Sequence, residues 1–550
     1  MGAKLPSTTR PFNMRSSAIR SLFIAVCLTL VLATLVRHGA VTVPNLMQTS
    51  SFKSSGVHSQ QSVGEQLAPG LASNDSEGGA RKHFNMDCSA DVNHLSNLQS
   101  RFELGNRFQY MKRYVRFTRT EGLQRKSMTH TAQSLLPKSA SFGTVDMQNG
   151  VAPDGTCLNP IDVPVPKSGL AHTVNASDYI FGVSTTYKRF MEPETTPINE
   201  WTFWLTDGHG HSNGGKLLLM LMDATDQQLQ EAANLLGDVG IDVDVYHSDA
   251  TLEMAVRYLT LVPTLYTHPE AKNKKWLVTC DDDTFFPSMH GLIEKMNEFN
   301  HTREMYIGTL SEDTGAIERH GSQAFGGAGV FLSLPMGKKI TDLYNSCTTE
   351  EKIKESDSGW GPQGDILLRK CIYENTETRL TTMPALWQLD ILGHPSGFYE
   401  SGIKPLSLHH YRGGGWHKAY PGLMAKLAYG CGEDCTMMRF QTPDDFIISG
   451  YSIAHYPKGI TFDTNQVEAT LHAAPEDKGW NLDFKLGPQR PSLLETGRKI
   501  AWELEEAVVA SDGSVVQTYI RKQNDDRWKE PDGSRMSNID GVIELVWIPK

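Results

Sequence analysis

The sequence predicts an α/β protein built on a mostly parallel sheet, with its ligand site at the carboxyl ends of the strands. Two observations predict it. From about residue 178, apolar runs of strand length alternate with amphipathic helical stretches, the pattern of a sheet covered by helices on both faces. An acidic triplet, Asp281-Asp282-Asp283, directly follows one of these runs, and ligands in such sheets sit beyond the strand ends.

Taken in order, DYIFGV (178–183), WTFWL (201–205) and KLLLMLM (216–222) read as strands. Thr225 and Gln228 have the spacing of a capping box, and the helix it opens sets Leu229, Ala232, Ala233 and Leu236 on one face, with Gly237 placed to end it. IDVDVY (241–246) alternates as a half-buried strand does, and KWLVTC (275–280) is a buried one. Pro287 suits the first turn of a helix presenting Leu292, Ile293, Met296 and Phe299. MYIGTL (305–310) and VFLSL (330–334) continue the strands, and ILLRKCIY (366–373) reads as a helix.

At 550 residues the chain exceeds one ordinary domain. Its formal net charge of -11 argues against nucleic acid as a partner, because phosphate binding needs clustered Lys and Arg. Residues 21–43 carry the one apolar stretch of membrane character, preceded by Lys4, Arg10, Arg15 and Arg20. That charge bias orients residues 1–20 to the cytosol and the rest to the lumen, as a single-pass type II anchor in Golgi or ER membrane. A cleaved signal peptide is the rival reading. Residues 44–80, rich in Ser, Gln and Gly, read as a flexible stem. Residues 81–177 form an N-terminal lumenal extension, and the charges of RFQYMKRYVRF (107–117) read as a solvated helix face. The catalytic unit spans 178–440, and 441–550 reads as a small β-rich appendage with turns at Asp512-Gly513 and Asp532-Gly533.

Asn74, Asn175 and Asn300 head glycosylation sequons. Of eight cysteines, Cys27 lies in the expected span. Cys431 with Cys435 is the best local disulfide, Cys347 with Cys371 a second, and Cys280 the candidate free thiol in a buried strand.

Asp281 and Asp283 offer two carboxylates on one side of an extended turn, the hard ligands that hold Mn2+ or Mg2+. A solvated acidic loop would present the same letters. Gly326 and Gly327, in GGAG, let a backbone approach a ligand or simply make a tight turn. Asp365 stands where a helix begins, as an N-cap or a general base. His409 and His410 supply an imidazole for a metal or for structure.

WLVTCDDDTFF, NHTREMYIGTL, AFGGAGVFLS, GDILLRKC and PLSLHH occur in the order seen in fringe-like β-1,3-glycosyltransferases, and upstream FGVSTTYKRF and FWLTDG resemble that family's first nucleotide-binding strand and T-D-G turn. The resemblance covers about residues 178–415 and is similar to the fungal fringe-related branch. It implies a GT-A fold, a UDP-sugar donor, a glycan or glycoprotein acceptor, Mn2+ and inversion at the anomeric carbon. Carried over by position, Asp281 and Asp283 match the metal motif with Asp282 beside them. Thr185, Thr186 and Asp207 match the segments around the uridine, Asp365 the base, and His409 or His410 the metal-shell histidine. The chain departs from the pattern at GPQGD, where fringe enzymes carry a double-Asp motif, and at His-His-Tyr, where theirs are spaced histidines. Asp313 and Asp357 are the alternative bases.

The reading that follows is an inverting, metal-dependent transferase. A non-catalytic nucleotide-sugar or glycan-binding protein of the same fold is the main rival. A phosphohydrolase is less apt, since such sites scatter ligands for two metals over several strands.

Overall fold

A computed structural model of the chain describes residues 52–53, 84, 86–193, 196–474 and 482–550. The expected anchor at 21–43 and most of the stem lie outside these. Among the described residues no helix is long and apolar enough to cross a membrane.

The protein is mixed α/β, with two large sheets. In the first, Asp242–His247, Lys216–Met222, Tyr179–Thr186 and Trp276–Thr279 lie side by side and parallel. Beyond Trp276–Thr279 the expected parallel order fails: Val330–Ser333 pairs with it antiparallel, and so does Tyr306–Gly308 with Val330–Ser333. The connection from 279 to 306 is made by a single short helix, Met289–Met296, and the strand after it enters two places away. Those four strands are therefore the parallel part of a mixed sheet, with Phe52–Lys53 antiparallel at the far edge of Asp242–His247.

Apolar side chains on both faces explain the burial of these strands. Leu217, Leu219, Leu221, Val243 and Phe181 pack into one core with Trp201, Trp204 and the helix residues Leu229, Ala233 and Leu236. Ile180, Leu218 and Leu277 pack into a second with Leu259, Val262 and Leu368. The capping box at Thr225 and Gln228 is formed. Its helix, Asp226–Asp238, runs through Gly237 and stops against Gly240, whose φ of 92° a side chain would strain. WTFWL, expected as a strand, belongs instead to the helix Ile198–Leu205. Four apolar residues in a run of five fit a buried helix as well as a strand, and here Trp201, Phe203, Trp204 and Leu205 are all buried.

RFQYMKRYVRF is a strand, not a helix face: Arg107–Thr120 pairs in parallel with the C-terminal strand Asp540–Pro549. Its aromatic and β-branched residues bury Phe108, Tyr110, Val115 and Phe117, and Arg116 is held outward by Asp162 at 2.6 Å. The C-terminal region is accordingly no small appendage. Ile500–Val509, Val515–Arg521 and Asp540–Pro549 join strands from residues 107–166 and 440–455 in one sheet, so the described strands of the two expected regions form a single sheet.

Disulfides link Cys347 to Cys371 and Cys431 to Cys435, as expected, and Cys88 to Cys157, while Cys280 is free and buried.

Candidate active site

The acidic triplet sits where Trp276–Thr279 ends. The Asp281 N–H donates to the Thr284 hydroxyl at 3.0 Å, and that hydroxyl donates to the Gly327 carbonyl at 2.7 Å. Phe285, next along, exchanges backbone hydrogen bonds with Leu408, both at 2.8 Å. This clamp brings the following residue, His409, over the triplet: His409 Nε2 lies 3.3 Å from Asp281 and 3.1 Å from Asp283. A Cβ added at Gly327 would stand 2.1 Å from the His409 ring, so only glycine leaves room for the imidazole. Gly327 thus serves the site by close packing.

Asp281, Asp283 and His409 each offer one ligand atom within 4.8 Å of the others, a donor set that fits a hard divalent cation such as Mn2+. Burial disfavours charge on His409, but the two carboxylates outweigh it and hold the imidazole well above its usual range. Burial likewise pushes Asp283 up, and His409, His410 and Arg189 together bring it far below the ordinary carboxylate value.

His410 is not in this cluster. Its Nδ1 lies 2.9 Å from Asp390, and its ring stacks on Trp416 at 4.3 Å. A φ of 54° at His410 turns the chain so that adjacent imidazoles serve different partners. Asp390 is fixed in turn by Ser311, whose hydroxyl donates to it at 2.7 Å, and by Glu312, which accepts the N–H groups of Gln388, Leu389 and Asp390.

Asp282 points the other way, into Tyr179–Thr186. It accepts from the Thr185 hydroxyl at 2.5 Å and from Arg189 at 2.6 Å, and Arg189 also reaches Asp283 at 3.4 Å. Thr186 caps the short helix that carries Arg189 by accepting that residue's N–H. Arg189 is a site residue the motif reading passed over. Within FGVSTTYKRF its only signal was a position three residues after a capping threonine. Arg412, held by Glu200 at 3.3 Å and reaching the Asp282 carbonyl at 3.5 Å, was missed as well.

Asp207 takes partners only from its own turn among the described residues: the N–H groups of His209 and His211, and the His211 ring. Nothing described there joins it to the triplet.

Asp365 is the second residue of the helix Gly364–Asn375, whose N-cap is Gln363, so it is not the cap. Burial pushes its carboxyl up to about 6, and the negative charge of Asp281 acts in the same direction against N–H groups of Ile366 and Gly326. Asp313 and Asp357 are occupied: Asp313 caps its own helix, and Asp357 accepts the N–H groups of Gly359 and Gly361.

Residues 216–399 match the family model described as Fringe-like, the resemblance that the ordered motifs carry. Over 151 residues the chain is 28% identical to the radical fringe β-1,3-N-acetylglucosaminyltransferase of Xenopus laevis, a match covering 24% of this chain and 42% of that relative's length. Among solved structures, mouse xyloside xylosyltransferase 1 superposes with a TM-score of 0.25 at 11% identity, over 37% of this chain and 85% of the other. The glycosyltransferase GlyE of Streptococcus pneumoniae TIGR4 gives 0.27 at 14%, over 49% and 61%. These superpositions are poor.

Proposed function

We propose that the protein is an inverting glycosyltransferase of GT-A type that moves a sugar from a UDP-sugar to a glycan or glycoprotein hydroxyl, in a β-1,3 linkage. The observation that carries the reading is the Asp281, Asp283 and His409 cluster beyond a strand end, beside a carboxyl of raised pKa at Asp365. A Mn2+ or Mg2+ ion bound by those three residues would neutralise charge on a departing diphosphate. The chain's own residues do the rest. Asp365, ionised at neutral pH, accepts the proton of the acceptor hydroxyl as that oxygen bonds to the anomeric carbon and the bond to UDP breaks. Its raised pKa suits that task, since a base works best near the operating pH. Thr185 and Arg189 hold Asp282, which keeps the triplet's backbone fixed while its neighbours face the ligand. Localisation as a type II protein of the Golgi or ER membrane belongs to the same proposal and rests on the sequence of residues 1–43.

Titration calorimetry tests it: UDP should bind the parent only with Mn2+, and Asp283→Ala should lose that binding while its melting profile stays cooperative. Equal UDP affinity in parent and variant, with or without chelator, would sink the metal role. UDP release from a UDP-sugar should be faster with a sugar acceptor than in water alone, which separates a transferase from a hydrolase and from a binding protein.

A further inference from the structure

Trp360 is the most exposed large apolar residue among those described, 67% open to solvent. A single exposed apolar side chain needs no explanation of itself. The setting of this one does. Residues 356–363 close on themselves, with the Gln363 N–H donating to the Ser356 carbonyl at 3.0 Å. Asp357 pins the tip by accepting from Gly359 at 2.7 Å and Gly361 at 3.0 Å. Both glycines have φ above 90°, and a Cβ on either would meet nothing within 4 Å. The loop is therefore a built turn that holds one indole out into open space.

That turn runs straight into Gly364 and Asp365. Four residues separate Trp360 from Asp365, so their Cα atoms lie at most about 18 Å apart. The Arg319 guanidinium lies over one face of the indole, 5.5 Å from its centroid. Arg319 belongs to the helix Thr314–His320, whose His320 packs on Phe325, the residue leading into Gly326 and Gly327. Trp360 thus stands on the turn that leads directly into Asp365, with Arg319 and its helix connecting it to Phe325.

We propose that Trp360 is a stacking platform for a pyranose ring of the acceptor. This deepens the transferase reading and rests on it. The C–H groups on one face of a pyranose carry slight positive charge and meet the negative face of an aromatic ring, as cations do. With Arg319 over one face and the side chain 67% exposed, the opposite face is a flat apolar surface for such a ring. Its place before Asp365 sets that sugar where one of its hydroxyls, or that of its neighbour, reaches the base.

The test uses saturation-transfer NMR on the full chain with UDP and Mn2+, with methyl glucopyranoside, galactopyranoside and mannopyranoside as probes. Ring C–H protons of at least one probe should receive saturation from the parent and from Trp360→Phe. Trp360→Ala should lose the signal or weaken apparent affinity by about tenfold, the upper end of one aromatic contact. UDP binding should be the same in all three proteins. Equal saturation in Trp360→Ala, silence of every probe with the parent, or loss of UDP binding in the alanine variant would each overturn the platform. UDP binding by the parent reports on the transferase reading separately. Its absence removes that reading, whereas its presence without a Trp360-dependent sugar signal overturns the platform alone.

Discussion

Replacing Asp365 by Asn separates the chemistry of the carboxylate from its cost to the fold. Burial raises this carboxyl from 3.8 to about 6. The gap is about two pH units, and each is worth about 1.4 kcal/mol. Ionised Asp365 thus costs the folded protein on the order of 3 kcal/mol, an upper figure because water reaches part of the group. A carboxyl with a raised folded pKa holds its proton more tightly in the folded state. Its stabilising contribution is therefore present below about pH 4 and is lost as pH rises through about 6. Asn carries no charge and can still accept the Ile366 N–H, which Asp365 takes at 2.8 Å. Scanning calorimetry without metal should find Asp365→Asn melting above the parent at pH 8, with the gap closing by pH 4. Transfer by the variant should fall by about a hundredfold or more, and the parent's kcat/KM should rise through about pH 6. A melting difference that does not change with pH would refute the burial argument, and undiminished transfer would refute the base.

Gly327→Ala should weaken Mn2+-dependent UDP binding at least about tenfold by driving a methyl into His409, whereas Gly422→Ala, with open space around it, should bind as the parent does; calorimetry on both decides. Cys88→Ser should lower stability by up to roughly 4 kcal/mol in denaturant titrations, the loop-entropy figure for a separation of 69 residues. The anchor at 21–43 should keep the protein with membranes after carbonate washing, and an N-terminus found beyond residue 36 would favour a cleaved signal instead.

How much of this was legible in the sequence follows from how local each feature is. The parallel strands, the capping box and the position of the triplet depend on periodicity and neighbours a few residues away, and they were read correctly. WTFWL was misread because a buried helix and a buried strand share one apolar run. The Arg107–Thr120 strand was misread because its partner lies at the other end of the chain, where no local pattern announces it. The site divides in the same way. Asp281, Asp283 and Asp365 advertise themselves by chemistry and by the strand or helix beside them. Which of His409 and His410 meets the triplet is decided by the Phe285–Leu408 backbone pair and a left-handed turn. Asp390, Arg189 and Arg412 matter through partners distant in sequence, and single residues of common type carry no signal of that.

The parallel pairing of Arg107–Thr120 with Asp540–Pro549 also sets a timetable. Tyr110 donates its hydroxyl to Glu544 across 434 residues. At ordinary ribosomal speeds of about 5–20 residues per second, the early strand waits roughly 20–90 s for its late neighbour. Until then one edge of this 14-residue strand stands unpaired, and unpaired edges can recruit strands from other chains. A version truncated before residue 540 would leave that edge open for good, and its fate would be aggregation or degradation even with every residue of the candidate active site intact.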